Sequence, residues 1–240
     1  ESTLAGILFI ISAPSGSGKS TLVSQLRSLV DGLEFSISYT TRAPRGSEEN
    51  GREYHFTTRQ RFEQMIAAGE FLEWAEVFGN YYGTAAQSLR DAKAHGKDLI
   101  LDIDVQGAAQ VLKKMPEAVS IFIMPPTPEV LKTRLENRSR AERVTDTSVV
   151  QRRLDQALHE INCLWDYRYG IVNDVLDEAV SQLRSIVLWE RVQAEPQGSV
   201  ALQASTDDLA HWEKMAAKCS TSPASERLLA AVRNFENGAG

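Results

Sequence analysis

Hydrophobic and polar positions follow two rhythms along this chain. Short continuous apolar runs occur at Ile7 to Ile11, ending at Ser12 and Pro14, at Leu99-Ile100-Leu101-Asp102-Ile103-Asp104, at Val119 to Met124 before Pro125-Pro126, and briefly at Ile171-Val172 before Asn173-Asp174. Runs of this length without polar alternation predict strands buried on both faces, as in a parallel sheet. Between them, apolar residues recur every three or four positions. That period predicts helices over Thr21 to Val30, Ala85 to His95, Val105 to Lys114 and Glu129 to Asn137, the last with Thr127 as N-cap and Pro128 at the first helical position. Strands and helices taking turns predict an α/β core, a parallel sheet flanked by helices with ligands at the carboxyl ends of the strands.

The stretch from Phe35 to Gly83 breaks this alternation. It is rich in Gly, Arg, Tyr and Thr and carries short β-like pieces at Tyr54-His55-Phe56 and Phe71 to Phe78, which predicts an inserted mixed β/α subdomain over residues 35–84. Arg138 to Thr147 is polar and lies between helical patterns, as a mobile lid would. A long helical pattern, about Ser148 to Asp166, follows it. After Val192, the run Gln193-Ala194-Glu195-Pro196-Gln197-Gly198-Ser199 reads as a linker. Two amphipathic helices are expected beyond it, one carrying Leu209, Trp212 and Met215, the other starting at Ser222-Pro223 and carrying Leu228, Leu229, Val232 and Phe235. The expected division is a core of residues 1–34 and 85–192 with a lid at about 138–147, the insertion at 35–84, and a C-terminal extension, 193–240, without an assigned role.

Length and composition narrow the possibilities. A chain of 240 residues, 42% hydrophobic and 24% charged, suits one globular α/β core with insertions. Its formal charge of −6 argues against nucleic acid as a partner, so any phosphate site must be local. Cys163 and Cys219 are too few for a disulfide framework. The longest apolar stretch, Leu4 to Ala13, falls well short of the roughly 20 residues that span a bilayer. No membrane partner is expected, and with no secretory signal pattern at the start the expected location is the cytoplasm. Oligomeric state has no signature here.

The chemistry begins at Ala13-Pro14-Ser15-Gly16-Ser17-Gly18-Lys19-Ser20, which follows the first strand and opens a helix. This is the context required by a phosphate-binding loop of the form G-x-x-x-x-G-K-[ST], with Ala13 in place of the first glycine. Gly16 and Gly18 let backbone N–H groups turn toward phosphates, the helix N-terminus adds positive potential, Lys19 neutralises β/γ oxygens, and Ser20 offers its hydroxyl to Mg²⁺. ATP is the implied ligand, and Thr21 completes its binding set. The plain alternative is a Gly/Ser-rich turn with a solvated lysine. Asp102 and Asp104 end a buried-type strand, where a carboxylate is costly unless it meets a cation, a donor or water. Asp102 can hold Mg²⁺ directly or through water. Either aspartate can instead be solvated at the strand end or cap the next helix.

With the phosphate loop placed, Ser38-Tyr39-Thr40-Thr41-Arg42-Ala43-Pro44-Arg45, then Glu48, Gly51 and Tyr54, closely resembles the GMP-binding segment of guanylate kinases, specifically the bacterial type. Glu73-Trp74, Gly79-Asn80-Tyr81-Tyr82-Gly83-Thr84, Leu101 to Gly107 and Val172-Asn173-Asp174 extend the resemblance in the family's order from about Gly6 to Arg191. The resemblance implies a P-loop nucleoside monophosphate kinase using ATP with Mg²⁺ on GMP and dGMP. It implies that Arg42, Arg45, Tyr54 and Tyr82 bind the GMP phosphate and that Ser38, Glu73, Thr84 and Asp104 contact guanine. Side-chain chemistry agrees: two arginines three apart can fork a dianion, and a carboxylate at Glu73 can accept from guanine N1–H and N2–H₂. The resemblance also implies that Arg134, Arg138 and Arg153 reach ATP phosphates, with Lys19, Arg42, Arg138 and Arg153 acting on the transferring group. Two departures stand out: the lid has extra arginines at Arg140 and Arg143, and Gly46-Ser47-Glu48 shifts the usual glycine of that turn.

Tyr81, Trp74 and Trp165 are expected to pack rather than bind, and the four histidines show no metal-ligand spacing. Two rival readings remain: a non-catalytic guanylate-kinase-like module that binds protein, and a kinase of the same fold for another acceptor. Because every assigned motif precedes Val192, a chain ended there is expected to fold and act.

Overall fold

A computed structural model describes residues 6–141 and 147–237. Two sheets organise them. The larger has five strands in the order β2-β7-β1-β8-β9, where β1 is Leu8–Ser12, β2 is Leu33–Phe35, β7 is Asp98–Asp102, β8 is Val119–Met124 and β9 is Tyr169–Val172. β2 pairs parallel with β7 (Leu33 with Asp98), and β8 pairs parallel with β9 (Ile121 with Tyr169). Every residue of β1, β8 and β9 is buried, the pattern expected of strands covered on both faces. The smaller sheet, in the order β4-β3-β6-β5, contains β3 (Tyr39–Thr40), β4 (His55–Phe56), β5 (Phe71–Val77) and β6 (Asn80–Ala85).

The chain divides into two compact units, Glu1–Ile10 with Gly32–Val119, and Ile11–Asp31 with Ser120–Gly240. In the first, the small sheet packs one face on α2 (Arg59–Ala67) through a cluster of Phe62, Met65 and Phe71, with Tyr39, Ile66 and Tyr81 against it. Phe62 stacks on Phe71 at 4.3 Å and on Tyr81 at 5.1 Å between centroids. Strand alternation sends Thr40, Tyr82, Glu73 and Thr84 to the opposite face, since Thr40 pairs with Tyr82 and Glu73 with Thr84. Period two separates core from site along β3 and β6, and in β5 a bulge between Phe71 and Glu73 places these two residues on opposite faces. α3 (Ala86–Ala94) and α4 (Val105–Lys114) complete the unit.

In the second unit, α1 (Lys19–Leu29) lies against α7 (Leu176–Ala194), whose Arg191 donates to the Asp31 carbonyl at 2.8 Å. α5 (Pro128–Ala141), α6 (Thr147–Ile161) and a 3₁₀ turn (Asn162–Asp166) precede β9. Thr127 caps α5 by accepting from the Val130 amide at 3.3 Å. α8 (Ser199–Gln203), α9 (Thr206–Cys219) and α10 (Glu226–Asn237) follow α7, and α9 packs on α7 and β9, α10 on β9. Trp212, Cys219, Leu228, Val232 and Phe235 are buried there.

Several elements differ from expectation. The insertion is mixed β/α as expected, with α2 as its helix, but the last five residues of the expected Ser148 to Asp166 helix form a 3₁₀ turn from Asn162. Lid residues 138–141 continue α5, while 142–146 lie outside the described residues. The linker is shorter, because α7 runs to Ala194 and Ser199 opens α8. Trp165 is 43% exposed rather than packed away.

Candidate active site

The phosphate loop leaves β1 at Ser12 and turns on Gly16 and Gly18, at φ of 86° and 84°, a left-handed backbone that glycine adopts without strain. Gly18 is the N-cap of α1, so Lys19 and Ser20 open the helix and the first-turn amides stand at the end of the loop. Two partners hold the loop. Leu131 and Leu135 of α5 lie so close that a Cβ on Gly16 would come within 3.0 and 3.2 Å of them. The buried Asn173, just after β9, donates from Nδ2 to the Ser17 carbonyl at 2.8 Å. Arg134 of α5 donates to the Asn173 carbonyl at 3.1 Å, and its Nη1 is buried without a hydrogen-bond partner among the described residues. Burial lowers the Arg134 pKa, with Asp174 opposing. One turn on, Arg138 reaches Ser15 Oγ at 3.5 Å, and Arg153 of α6 reaches Ser139 Oγ at 3.3 Å. Arg134 and Arg138 are therefore beside the loop, whereas Arg153 meets α5 instead.

In the other unit, Arg42 is fixed by a fork: Nη1 and Nη2 donate to Glu48 Oε2 and Oε1 at 2.9 and 3.0 Å, and Nη1 also to the Ala43 carbonyl at 2.8 Å. Its guanidinium carbon lies 5.3 Å from the Tyr54 ring centroid. The Tyr54 and Tyr82 rings meet edge-on at 5.9 Å. Glu48, with Tyr82 assisting, raises the Arg42 pKa; the hydrogen bonds from Arg42 hold the Glu48 carboxyl below the usual carboxylate range despite some burial. Arg42 is only 9% exposed, while the Arg45 side chain is exposed and its amide donates to Glu48 at 2.8 Å. Glu48 carries no assigned role from sequence, yet it orders both arginine positions. An acid six residues from Arg42 was the available signal.

Glu73 is 4% exposed on β5, opposite the fully buried Thr84. Burial pushes its carboxyl up to about 7; the Thr84 hydroxyl pulls it down and the Asp104 charge adds to the rise. Asp104 caps α4, accepting from the Gly107 amide at 2.8 Å. Ser38 immediately precedes Tyr39, which pairs with Gly83, and its carbonyl accepts from the His55 amide at 2.9 Å. Tyr81 packs as expected, between Phe62 and the edge of Trp74. Asp102 and Ser20 are both exposed.

A glycine-turned loop between a buried strand and a helix, on a parallel sheet with an inserted mixed sheet, defines a P-loop α/β fold of the nucleotide-kinase class. The guanylate kinase family model matches residues 6–190. The chain is 58% identical over 190 residues to a guanylate kinase of Koribacter versatilis, covering 79% of this chain and 81% of that protein. It is 52% identical over 182 residues to one from Neisseria meningitidis serogroup A, covering 76% and 87%. The crystal structure of guanylate kinase from Anaplasma phagocytophilum superposes with a TM-score of 0.61 at 33% identity, covering 83% of this chain and 90% of that one. The chain belongs to the guanylate kinase family.

Proposed function

We propose that this protein transfers the γ-phosphoryl group of ATP to GMP, and to dGMP, giving ADP and the diphosphate. The observation that carries the reading is the buried Glu73 carboxylate beside Thr84 and Asp104, in the same compact unit as the forked Arg42. In its ionised form Glu73 accepts from guanine N1–H and N2–H₂, and Ser38, Thr84 and Asp104 supply the remaining polar contacts to the base. Arg42, Arg45, Tyr54 and Tyr82 bind the acceptor phosphate, whose oxygen is already an adequate nucleophile, so no covalent enzyme intermediate is required. No assigned residue reads the ribose 2′-OH, which is why dGMP is included.

ATP occupies the loop Ala13 to Thr21, with Lys19 on the β/γ oxygens and Arg134, Arg138 and Arg153 neutralising charge on the transferring group. The Nη1 of Arg134, unpaired among the described residues, supports this, being a buried donor held beside the phosphate loop. Among the described residues no group of three or more His, Cys, Asp or Glu is placed to hold a metal. That fits an Mg²⁺ carried largely by nucleotide phosphates and water, with Ser20 and Asp102 as its protein oxygen donors, directly or through water. When bound, Mg²⁺ supplies neutralisation of the β/γ charge. The three-part division into core, insertion and lid, and a cytoplasmic location, belong to the same reading; no described helix is long and apolar enough to cross a membrane.

A coupled assay of ADP formation with GMP, dGMP, AMP, UMP and ribose bisphosphate as acceptors tests the proposal. Turnover confined to GMP and dGMP is expected. Turnover with another acceptor instead would move the chain to a different kinase activity, and none at all would return it to a binding module.

A further inference from the structure

We propose that Gly107 is a specificity-determining positioning residue: its missing side chain is the space in which the Glu73 carboxylate is held for the guanine edge. The inference rests on Glu73 being the base reader.

Gly107 sits at the third position of α4, with a helical backbone that any residue adopts. A glycine there weakens the helix, so conformational need does not explain it. Space does. A Cβ on Gly107 would lie 2.5 Å from Glu73 Oε2 and 3.0 Å from its carboxyl carbon, far inside van der Waals contact, and 3.3 Å from Asp104 Oδ1. The Gly107 amide would still donate to Asp104, so the helix cap survives the substitution.

The crowding cannot be relieved by moving the helix away, because α4 is tied to β5 on both sides of Glu73. Gln110 accepts from the Trp74 amide at 3.3 Å and donates to the Trp74 carbonyl at 2.6 Å, and Lys114 donates to the Leu72 carbonyl at 2.6 Å. The β5 backbone is held by its pairing with β6, Glu73 opposite Thr84 and Trp74 opposite Gly83. What remains free to yield is the end of the Glu73 side chain. A methyl at position 107 therefore costs the fold little and displaces the one group that reads the base.

The test compares wild type, Gly107→Ala, Glu73→Ala and the double variant by thermal melting and by steady-state kinetics with GMP, AMP and ATP·Mg²⁺. Gly107→Ala should melt no lower than wild type and keep its KM for ATP within about twofold, while kcat/KM for GMP falls about ten- to hundredfold, the size of one lost charge-assisted hydrogen bond. The GMP/AMP ratio should shrink with it. In the Glu73→Ala background the same methyl should change nothing further, the signature of two residues acting through one contact. Wild-type use of GMP by Gly107→Ala, with Glu73→Ala impaired, overturns this proposal and leaves the base-reader assignment standing. A wild-type GMP/AMP ratio in Glu73→Ala overturns both. Equal losses in the two backgrounds, or failure to fold in both, also overturn it, because the methyl would then be meeting something else. Folding of the double variant where Gly107→Ala alone fails supports it.

Discussion

The residue with the most consequential environment is Glu73, whose charge is suppressed in the free protein and which, in the proposed function, must be ionised to read the base. Its folded-state pKa, about 7, lies above the ordinary 4.5, so its contribution to stability is complete below that value and is lost as pH rises through 7. The loss approaches roughly 3 kcal/mol at most. Glu73→Gln should therefore melt higher than wild type at pH 8 and no higher at pH 4. Catalysis has the opposite slope: kcat/KM for GMP should rise through about pH 7 in wild type and lose that limb in Glu73→Gln, which should also discriminate less against AMP. A wild-type pH profile in the variant would show that another group reads guanine. Arg42 makes a second case. Its fork to the partly exposed Glu48 leaves the guanidinium preset, and Glu48→Gln should raise KM for GMP roughly fivefold, equivalent to about 1 kcal/mol, with KM for ATP unchanged.

At the scale of elements, the phosphate loop depends on β9 as much as on its own glycines. A methyl on Gly18 would stand 2.4 Å from Asn173 Nδ2 and would also strain a backbone at φ 84°. Gly18→Ala should raise KM for ATP at least about tenfold, leave GMP binding by equilibrium titration intact, and cost about 1–3 kcal/mol in denaturant unfolding. Equal loss of both ligands would mark general misfolding. The same elements show what the sequence made legible. The bounds of α4 and β8 could be read directly, since an acid cap and a proline pair punctuate them. α7 was invisible because it buries residues all round, Val180, Leu183, Ile186 and Val187 together with Gln182, Ser185 and Arg191, leaving no polar stripe to betray a helical period. α2 did carry a signal, Thr58 accepting from the Arg61 amide before Phe62 and Met65, but glycine- and arginine-rich flanks masked its nine residues. In the candidate site, local motifs marked the loop and the residues proposed for the acceptor. The Asn173 brace and the place of Gly107 under Glu73 join segments 156 and 34 positions apart, separations at which no periodicity speaks.

For the whole molecule, the C-terminal extension is part of the fold. The sequence argued that a chain ended after Val192 would fold and act, since all motifs precede it. The structure shows what such a cut would remove. Trp212 and Cys219 of α9 and Leu228 and Phe235 of α10 are buried, and Leu228 fills the space over Gly170 of β9, where a Cβ would lie 2.8 Å from it. α10 also reaches the β8 exit, Asn234 donating to the Pro126 carbonyl at 3.3 Å. Removal of residues 193–240 should lower the melting temperature by several degrees or more, as expected when buried large side chains are lost. A truncated protein that melts with wild type would show the packing to be incidental.

β9 ends the five-stranded order, so its outer backbone groups have no strand of that sheet beside them. The extension supplies an isolated bridge there: Ser220 pairs antiparallel with Tyr169, and the Thr221 amide donates to the Arg168 carbonyl at 3.1 Å. Colloidal behaviour follows. An uncovered apolar strand is a template for a second chain, and the segment at Ser220–Thr221 occupies it first. A purification tag or fusion that pulls this segment away should leave the catalytic residues untouched and still yield protein that self-associates through β9 as its concentration is raised.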